Sequence, residues 1–418
     1  MKIDGEVAVQ IKKQTIAFLK WTALACVVGA AAGGISTGFY FALQFVTSFR
    51  IAHGWILWLL PAGGAAIVLF YRLCGVEHDK GTNLVLVAVR ENADLPLKMT
   101  PLVFLSTLIT HLFGGSAGRE GAVLQIGGSV SSSIGRVLHL NSNDSRIITM
   151  CGMSAAFAAL FGTPLTSAIF AMEVISVGVM YYAAFFPCVL SAVVAAYVAK
   201  CFGAVPTHFS VGAFPALTPL PVLKVVALSV LFAALSILFC RIMRLAQKIF
   251  SRSLPNPWLR IAVGGFLVIL MTYLSGTRDY NGSGGPVIAA AIAGKARPEA
   301  FILKLLFTAV TLGAGYKGGE IVPAFFCGAT FGCAAAPLFA LNPAFGAALG
   351  LVAVFCGVTN CPMTSLVLSY ELFGASGMPF FALSCAVSYM LSGYYGLYPE
   401  QKILYSKLNP VFINRKAE

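Results

Sequence analysis

Two glutamates stand in stretches apolar enough for the core of a bilayer. Gly118-Arg119-Glu120-Gly121 and Gly318-Gly319-Glu320-Ile321-Val322-Pro323 place these acids 200 residues apart (320 − 120 = 200). A carboxylate in hydrocarbon is costly and is kept chiefly where it handles ions or protons. The glycines around each acid interrupt the helix. A helix that begins after such a break presents free N–H groups and the positive end of its dipole, which bind anions without a full cation. A carboxylate at that end competes with the anion for the same amides. Protonating or displacing Glu120 would therefore admit an anion, so one group would gate the path and carry a proton. Glu320 would be a second acid whose titration is coupled to the first. Arg119 and Lys317 precede the acids, and either offset buried negative charge or snorkel to the interface. The hydroxyl of Tyr398, in Gly396-Leu397-Tyr398-Pro399, is a candidate donor to a dehydrated anion, with Thr82 and Asn83 as further donors.

Other chemistries find less support. The 11 cysteines show no CxxC pair, and the five histidines no metal spacing, so neither a metal nor a cofactor is expected. The cysteines read as small buried hydrophobes. An intramembrane hydrolase would need a nucleophile and a base that meet. Ser116 and His111 are five residues apart and lack an orienting third member. The chain is not expected to be an enzyme.

The elements that must position these acids are membrane helices. The chain has 418 residues, 58% hydrophobic and 10% charged, against about 25% charged in a soluble domain. Trp21–Phe49, Trp55–Tyr71, Ala184–Ala199, Val225–Cys240 and Leu351–Leu372 are long and nearly uncharged, as segments that span a bilayer require. Alternating β-barrel periodicity is absent. Polar Met1–Lys13 precedes an apolar run too long for a signal peptide. An all-α multi-pass protein of the cell membrane follows. The formal charge of +13 comes without a basic stripe carrying interleaved aromatics, so no nucleic-acid partner is expected. Cations crowd the N-terminus (Lys2, Lys12, Lys13), the stretch around Pro255 (Arg241 to Arg260) and the C-terminus (Lys402 to Lys416). Cys201–Val222 has no lysine or arginine and should face outward, which leaves both termini cytoplasmic.

The chain also repeats. Pro164-Leu-Thr-Ser with Glu173 matches Pro362-Met-Thr-Ser with Glu371 at an offset of 198, and Gly63-Gly64 with Gly75 matches Gly264-Gly265 with Gly276 at 201. Gly128 and Gly328 keep the offset of 200 shown by the acids. A single membrane domain of two halves, about 15–199 and 218–409, results. With an external connection and cytoplasmic termini, each half makes an odd number of crossings and the two are inverted. Gly114-Gly115, Gly118, Gly121 and Gly127-Gly128 punctuate the first half, and Gly313, Gly315, Gly318-Gly319 and Gly328 the second. They either break helices along a cavity or let helices pack closely. Glu173 and Glu371 end their helices and read as structural, and His111 as a packed or capping residue.

Gly118-Arg-Glu-Gly121, Gly319-Glu-Ile-Val-Pro323, the Pro164/Pro362 repeat and Tyr398 together resemble the CLC family of anion channels and anion/proton antiporters, over about residues 15–410. The resemblance implies tilted and broken helices in two inverted-topology repeats and a homodimer with one pathway per subunit. It makes Glu120 the gating glutamate and Tyr398 the central tyrosine. The chain ends soon after its last segment, so the cytoplasmic CBS domains of many members are not expected. Gly118, Arg119, Gly121, Gly319, Ile321, Thr82, Asn83 and Tyr398 would surround the anion. Several departures matter. The first-half Gly-Ser-Gly-Ile-Pro loop is replaced by Asp79-Lys80-Gly81-Thr82-Asn83-Leu84, with Lys80 or Thr82 at the serine position. Ile321 replaces a phenylalanine and Ala122 a proline, and Val174 stands where chloride/proton antiporters carry a proton-relay glutamate. These departures resemble the fluoride-exporting branch, which implies fluoride/proton antiport with Glu320 joining proton transfer. A chloride channel or chloride/proton antiporter of the same fold is the alternative. Fluoride is small and strongly hydrated, so its site needs several close donors.

Overall fold

A computed structural model describes residues 2–76, 81–93, 95–212 and 214–418, with side chains from Val7 onward. Its helices fall into two sets of eight. The first comprises α1 (Lys2–Ala52), α2 (Leu60–Leu73), α3 (Thr82–Glu91), α4 (Met99–Leu112), α5 (Glu120–Val137), α6 (Ser142–Phe161), α7 (Pro164–Glu173) and α8 (Phe185–Cys201). The second comprises α9 (Pro219–Ser253), α10 (Pro257–Ser275), α11 (Gly285–Ile292), α12 (Ala300–Ala314), α13 (Ile321–Ala335), α14 (Pro343–Thr359), α15 (Pro362–Phe373) and α16 (Met378–Leu391). Among the described residues six helical segments are long and apolar enough to cross a membrane, Val7–Ala52 and Pro219–Ser253 among them. Ile321–Phe339 is also one of the six, yet most of it is buried inside the protein.

Local sequence sets the ends. Asn141 caps α6 by accepting from the Asp144 amide at 2.9 Å, and Asn342 caps α14 by accepting from the Ala344 amide at 2.8 Å. Both helices then stop at a residue in the left-handed region, Gly162 (φ +72°) and Asn360 (φ +60°), and a proline opens the next helix. The apolar run Leu351–Leu372 is therefore two helices, α14 and α15, because Asn360-Cys361-Pro362 breaks it.

Each half packs in the same way: α1 lies on α8 as α9 lies on α16, and α5 crosses α6 as α13 crosses α14. The halves meet where α2 packs on α10 and α7 on α15. At the second contact the helices cap one another. The carboxylate of Glu371 accepts from the amides of Leu165 and Thr166, both at 2.9 Å. That of Glu173 accepts from the amides of Met363 (3.1 Å) and Thr364 (2.8 Å) and from the Thr364 hydroxyl (2.6 Å). Both acids are structural, as their positions suggested.

At the centre, Gly118 and Gly319 form an antiparallel bridge: the Gly118 amide donates to Gly319 O at 2.7 Å and the Gly319 amide to Gly118 O at 2.9 Å. This corrects the repeat register. The structural offset here is 201 (319 − 118 = 201), not 200, and α5 and α13 begin at Glu120 and Ile321 accordingly. The symmetry mate of Glu120 is thus Ile321, and that of Glu320 is Arg119. The same register pairs Gly81 with Gly282, both at positive φ, and Thr82 with Ser283. Two adjacent glycines before Glu320 had let the acids themselves be aligned. Gly127 and Gly328 confirm the register, as each lies against the backbone of a glycine on the crossing helix, Gly152 and Gly350. Gly127, Gly128, Gly313 and Gly328 all lie within helices and serve close packing; the real breaks are 113–119 and 315–320.

The all-α expectation needs one addition. Ser176–Val177 pairs in parallel with Lys402–Tyr405, which pairs antiparallel with Phe412–Lys416. This small sheet ties the end of the chain to the segment after α7. A two-residue strand whose partner lies over 200 residues away carries no local signal.

Candidate ion path

Glu120 is fully buried at the seam of the two halves. One carboxylate oxygen accepts from the Val322 amide at 2.6 Å, at the N-terminus of α13 in the opposite half, and the other has no hydrogen-bond partner. The carboxylate therefore occupies the helix end where an anion would bind. Glycine is required beside it, because a Cβ on Gly118 or Gly319 would overlap its oxygens.

Consecutive residues on either side of Glu120 line different cavities. Gly121 belongs to a cavity of about 410 Å³ beside the C-terminal sheet, whose walls include Thr82, Asn83, Gln125, Arg244, Lys317, Gly319, Glu320 and Tyr398. Arg119 belongs to a second cavity of about 260 Å³, on the side of the connection between the halves, with Thr163, Thr207, Ser283 and Val322. The connection is fastened across that side: the Thr207 amide donates to Phe161 O at 3.2 Å and the Phe209 amide to Leu372 O at 3.0 Å. Glu120 lines neither cavity and stands between the residues that line each.

Most of the expected residues converge here, on different sides. Glu320 opens α13 and faces the sheet-side cavity with Tyr398, which is 4% exposed. Thr82 lies against Gly121, and Asn83 accepts from the Glu400 amide at 3.1 Å, next to the tyrosine loop. Ile321 is buried in α13 and lines neither cavity; the neighbouring Val322 supplies the amide. Arg119 is on the opposite side from these, its guanidinium 5.1 Å from the Phe161 ring centre and 5.8 Å from that of Tyr40. Lys317 sits over the Tyr71 ring at 4.3 Å. Lys80 lies outside the described residues, so Thr82 is the described candidate at the serine position.

The tyrosine loop is held by a network centred on Gln401, with the Lys407 ammonium donating to the Asn360 side chain. Gln401 donates through its side chain to the carbonyls of Val174 (3.0 Å) and Thr359 (2.9 Å), and accepts from Asn360 at 3.1 Å. The buried Val174 thus meets a side-chain amide, and neither side chain ionises at neutral pH. Two further residues went unread in the sequence. Gln125 follows Gly121 by one helical turn; its amide donates to Gly121 O at 3.0 Å, and its buried oxygen has no partner. Arg244 was grouped with loop cations, but it lies in α9, donates to Gly396 O at 2.7 Å and lines the cavity with Glu320. Its place in a basic run hid it, whereas the i+4 spacing of Gln125 could have been read. Ser116 and His111 form no dyad: the serine hydroxyl pairs with Thr308 at 3.0 Å, and His111 Nδ1 with Thr107 O at 2.9 Å. No His/Cys/Asp/Glu group among the described residues could hold a metal ion.

The chain is similar to known proteins over most of its length. Residues 63–393 match the family described as voltage gated chloride channel. The chain is 38% identical over 395 residues to a chloride/fluoride channel protein of Pseudomonas syringae pv. tomato, covering 93% of this chain and 87% of that protein. An H(+)/Cl(-) exchange transporter ClcA of Vibrio vulnificus is 25% identical over 389 residues, 84% of this chain and 81% of that one. The fold superposes on the crystal structure of a CLC-type fluoride/proton antiporter with a TM-score of 0.89 at 32% identity, covering 92% of this chain and 98% of the other. A slow cyanobacterial Cl-/H+ antiporter shares the fold at a TM-score of 0.78 and 20% identity, over 89% and 94% of the two chains. The chain belongs to the CLC family.

Proposed function

We propose that this protein exports fluoride in exchange for protons, with Glu120 as the gate and as a proton carrier. The observation that carries the reading is the Glu120 carboxylate on the Val322 amide, closing the seam between two cavities, with a second acid, Glu320, on one side of it. The sheet-side cavity is cytoplasmic in this reading, because both termini and the basic stretch around Pro255 carry the lysines and arginines. Fluoride reaches it and meets the hydroxyls of Thr82 and Tyr398 and the Gly121 backbone. A proton from the other side neutralises Glu120, which weakens its hold on the Val322 amide and frees that donor for fluoride. Glu320 then passes the proton inward, taking the part that Val174 cannot. The protein works as a homodimer with one such path per subunit. Its similarity to a fluoride/proton antiporter and to a chloride/fluoride channel protein supports fluoride as the substrate.

The test uses purified protein in liposomes loaded with fluoride or chloride. Anion efflux is followed by electrode and proton uptake by a pH probe, for wild type, Glu120→Gln and Glu320→Gln. Fluoride efflux should drive uphill proton uptake with little chloride flux. Each variant should lose at least tenfold in proton movement, as removing a positioned proton carrier does. Chloride flux as fast as fluoride would point to a chloride transporter, and fluoride flux without proton movement to a passive channel.

A further inference from the structure

The connection-side cavity is an inverted copy of the sheet-side one. The twofold that bridges Gly118 to Gly319 carries Thr82 onto Ser283 and Glu320 onto Arg119. Each of these four residues lines its own cavity. The order Gly282-Ser283-Gly284-Gly285-Pro286 runs into the eight-residue helix α11, the mate of α3. The symmetry therefore exchanges an acid for a guanidinium and keeps a hydroxyl at the start of a short helix.

Among the described residues, one donor here lacks a partner, and the cation beside it faces no acid across the cavity. Thr163 is the residue before α7, where a threonine side chain ordinarily caps the helix amides. It does not do so, because Glu371 already accepts from Leu165 and Thr166. Its hydroxyl is left buried, 1% of the residue is exposed, and it has no hydrogen-bond partner. The Arg119 guanidinium is flanked by the Phe161 and Tyr40 rings, and no acidic side chain lines this cavity among the described residues. Buried donors left without an acceptor are costly, so a group that supplies one is favoured here. In a space of about 260 Å³ with mostly apolar walls, the polar side chains are Arg119 and three hydroxyls, those of Thr163, Thr207 and Ser283, and a small monovalent anion with some of its water satisfies them.

We propose that Arg119, Thr163 and Ser283 form a second anion site on the connection side of the gate, where fluoride pauses between leaving the Val322 amide and reaching solution. The site rests on the transport reading above and adds a place that the gate itself does not supply. It makes the two faces of the path unequal: an acid and cations share the sheet side, and a cation without an acid holds the other.

The test is the fluoride concentration dependence of exchange in liposomes that contain both orientations of the protein. Wild type, Thr163→Val, Ser283→Ala and Arg119→Gln are compared, and unfolding temperatures in detergent establish that each variant is folded. Valine matches threonine in shape and removes only the hydroxyl. The expected result is a two-component curve in each variant: one orientation keeps the wild-type KM and the other shows a KM raised about tenfold, the loss of one hydrogen bond to a charged group. Thr163→Ser should restore the wild-type curve, and the proton-to-fluoride ratio should hold throughout. Unchanged curves in all three variants would overturn the site. A lost proton-to-fluoride ratio in Thr163→Val would also overturn it, by placing that hydroxyl in the gate. Failure of the transport reading is separate, since wild type would then show no fluoride-driven proton uptake.

Discussion

At the scale of residues, the decisive contact is one carboxylate against one amide. Glu120 reaches the Val322 amide only because Gly118 and Gly319 present no side chain on its flanks. Gly118→Ala should therefore displace the carboxylate, because the three atoms nearest the added methyl group all belong to the Glu120 side chain, whereas at Gly319 the seam backbone would be crowded too. The expected outcome is a folded protein whose proton-to-fluoride ratio falls several-fold, measured by paired electrode and pH recordings. A wild-type ratio would mean that the carboxylate tolerates a methyl group there, and that its seat is less tightly defined than the glycines indicate. The one-residue shift in repeat register belongs to this scale too. A residue advances about 100° around a helix, so aligning acid with acid placed Glu320 as the mirror of the gate. In the fold it is the mirror of Arg119, and it faces the opposite cavity.

At the scale of elements, the short helices α7 and α15 are fastened by exchanged carboxylates. Each carries in its last turn a glutamate that caps the start of the other. Glu173→Ala leaves the amides of Met363 and Thr364 and the buried Thr364 hydroxyl without that acceptor. It should cost about 1–3 kcal/mol, read as a lower midpoint of thermal unfolding in detergent. An unchanged midpoint would show that water replaces the carboxylate at no cost. The helix crossings obey a different constraint. α5 meets α6 through Gly127 and Gly152, and α13 meets α14 through Gly328 and Gly350, with backbone against backbone. Small residues there let helices approach closely where lipid gives apolar side chains no advantage in pairing.

At the scale of the molecule, sidedness follows from charge and can be read with native cysteines. Cys74 follows α2 and Cys201 ends α8; both are exposed. If the cation-rich termini are cytoplasmic, Cys201 lies at the outer face and Cys74 at the inner one. A membrane-impermeant maleimide should label Cys201 in intact cells and reach Cys74 only after permeabilisation. Labels are compared in Cys201→Ser and Cys74→Ser backgrounds. The reverse pattern would turn the molecule over and, with it, the direction assigned to each cavity.

The sequence by itself determined the class of fold and singled out Glu120 as the residue proposed for the gate. Hydropathy is local and additive along the chain, so spanning segments are visible without a structure. An acid among glycines in such a segment is conspicuous because its cost is high. The repeat was legible for the same reason, since matched prolines and glycines recur in order. The tertiary structure alone decided the register at the seam, because a glycine before each acid fits two alignments and only the Gly118–Gly319 bridge distinguishes them. It also decided which residues share a space. Arg244, Gln125, Thr163 and Ser283 are distant in the chain from the acids or unremarkable beside them, and they become neighbours of the path only when broken helices from both halves converge. The run Leu351–Leu372 shows the limit from the other direction: it is nearly uncharged, and one asparagine at positive φ shortly before a proline divides it. Hydrophobicity tells which segments leave water, whereas the meeting of their ends depends on backbone hydrogen bonds that no segment carries alone.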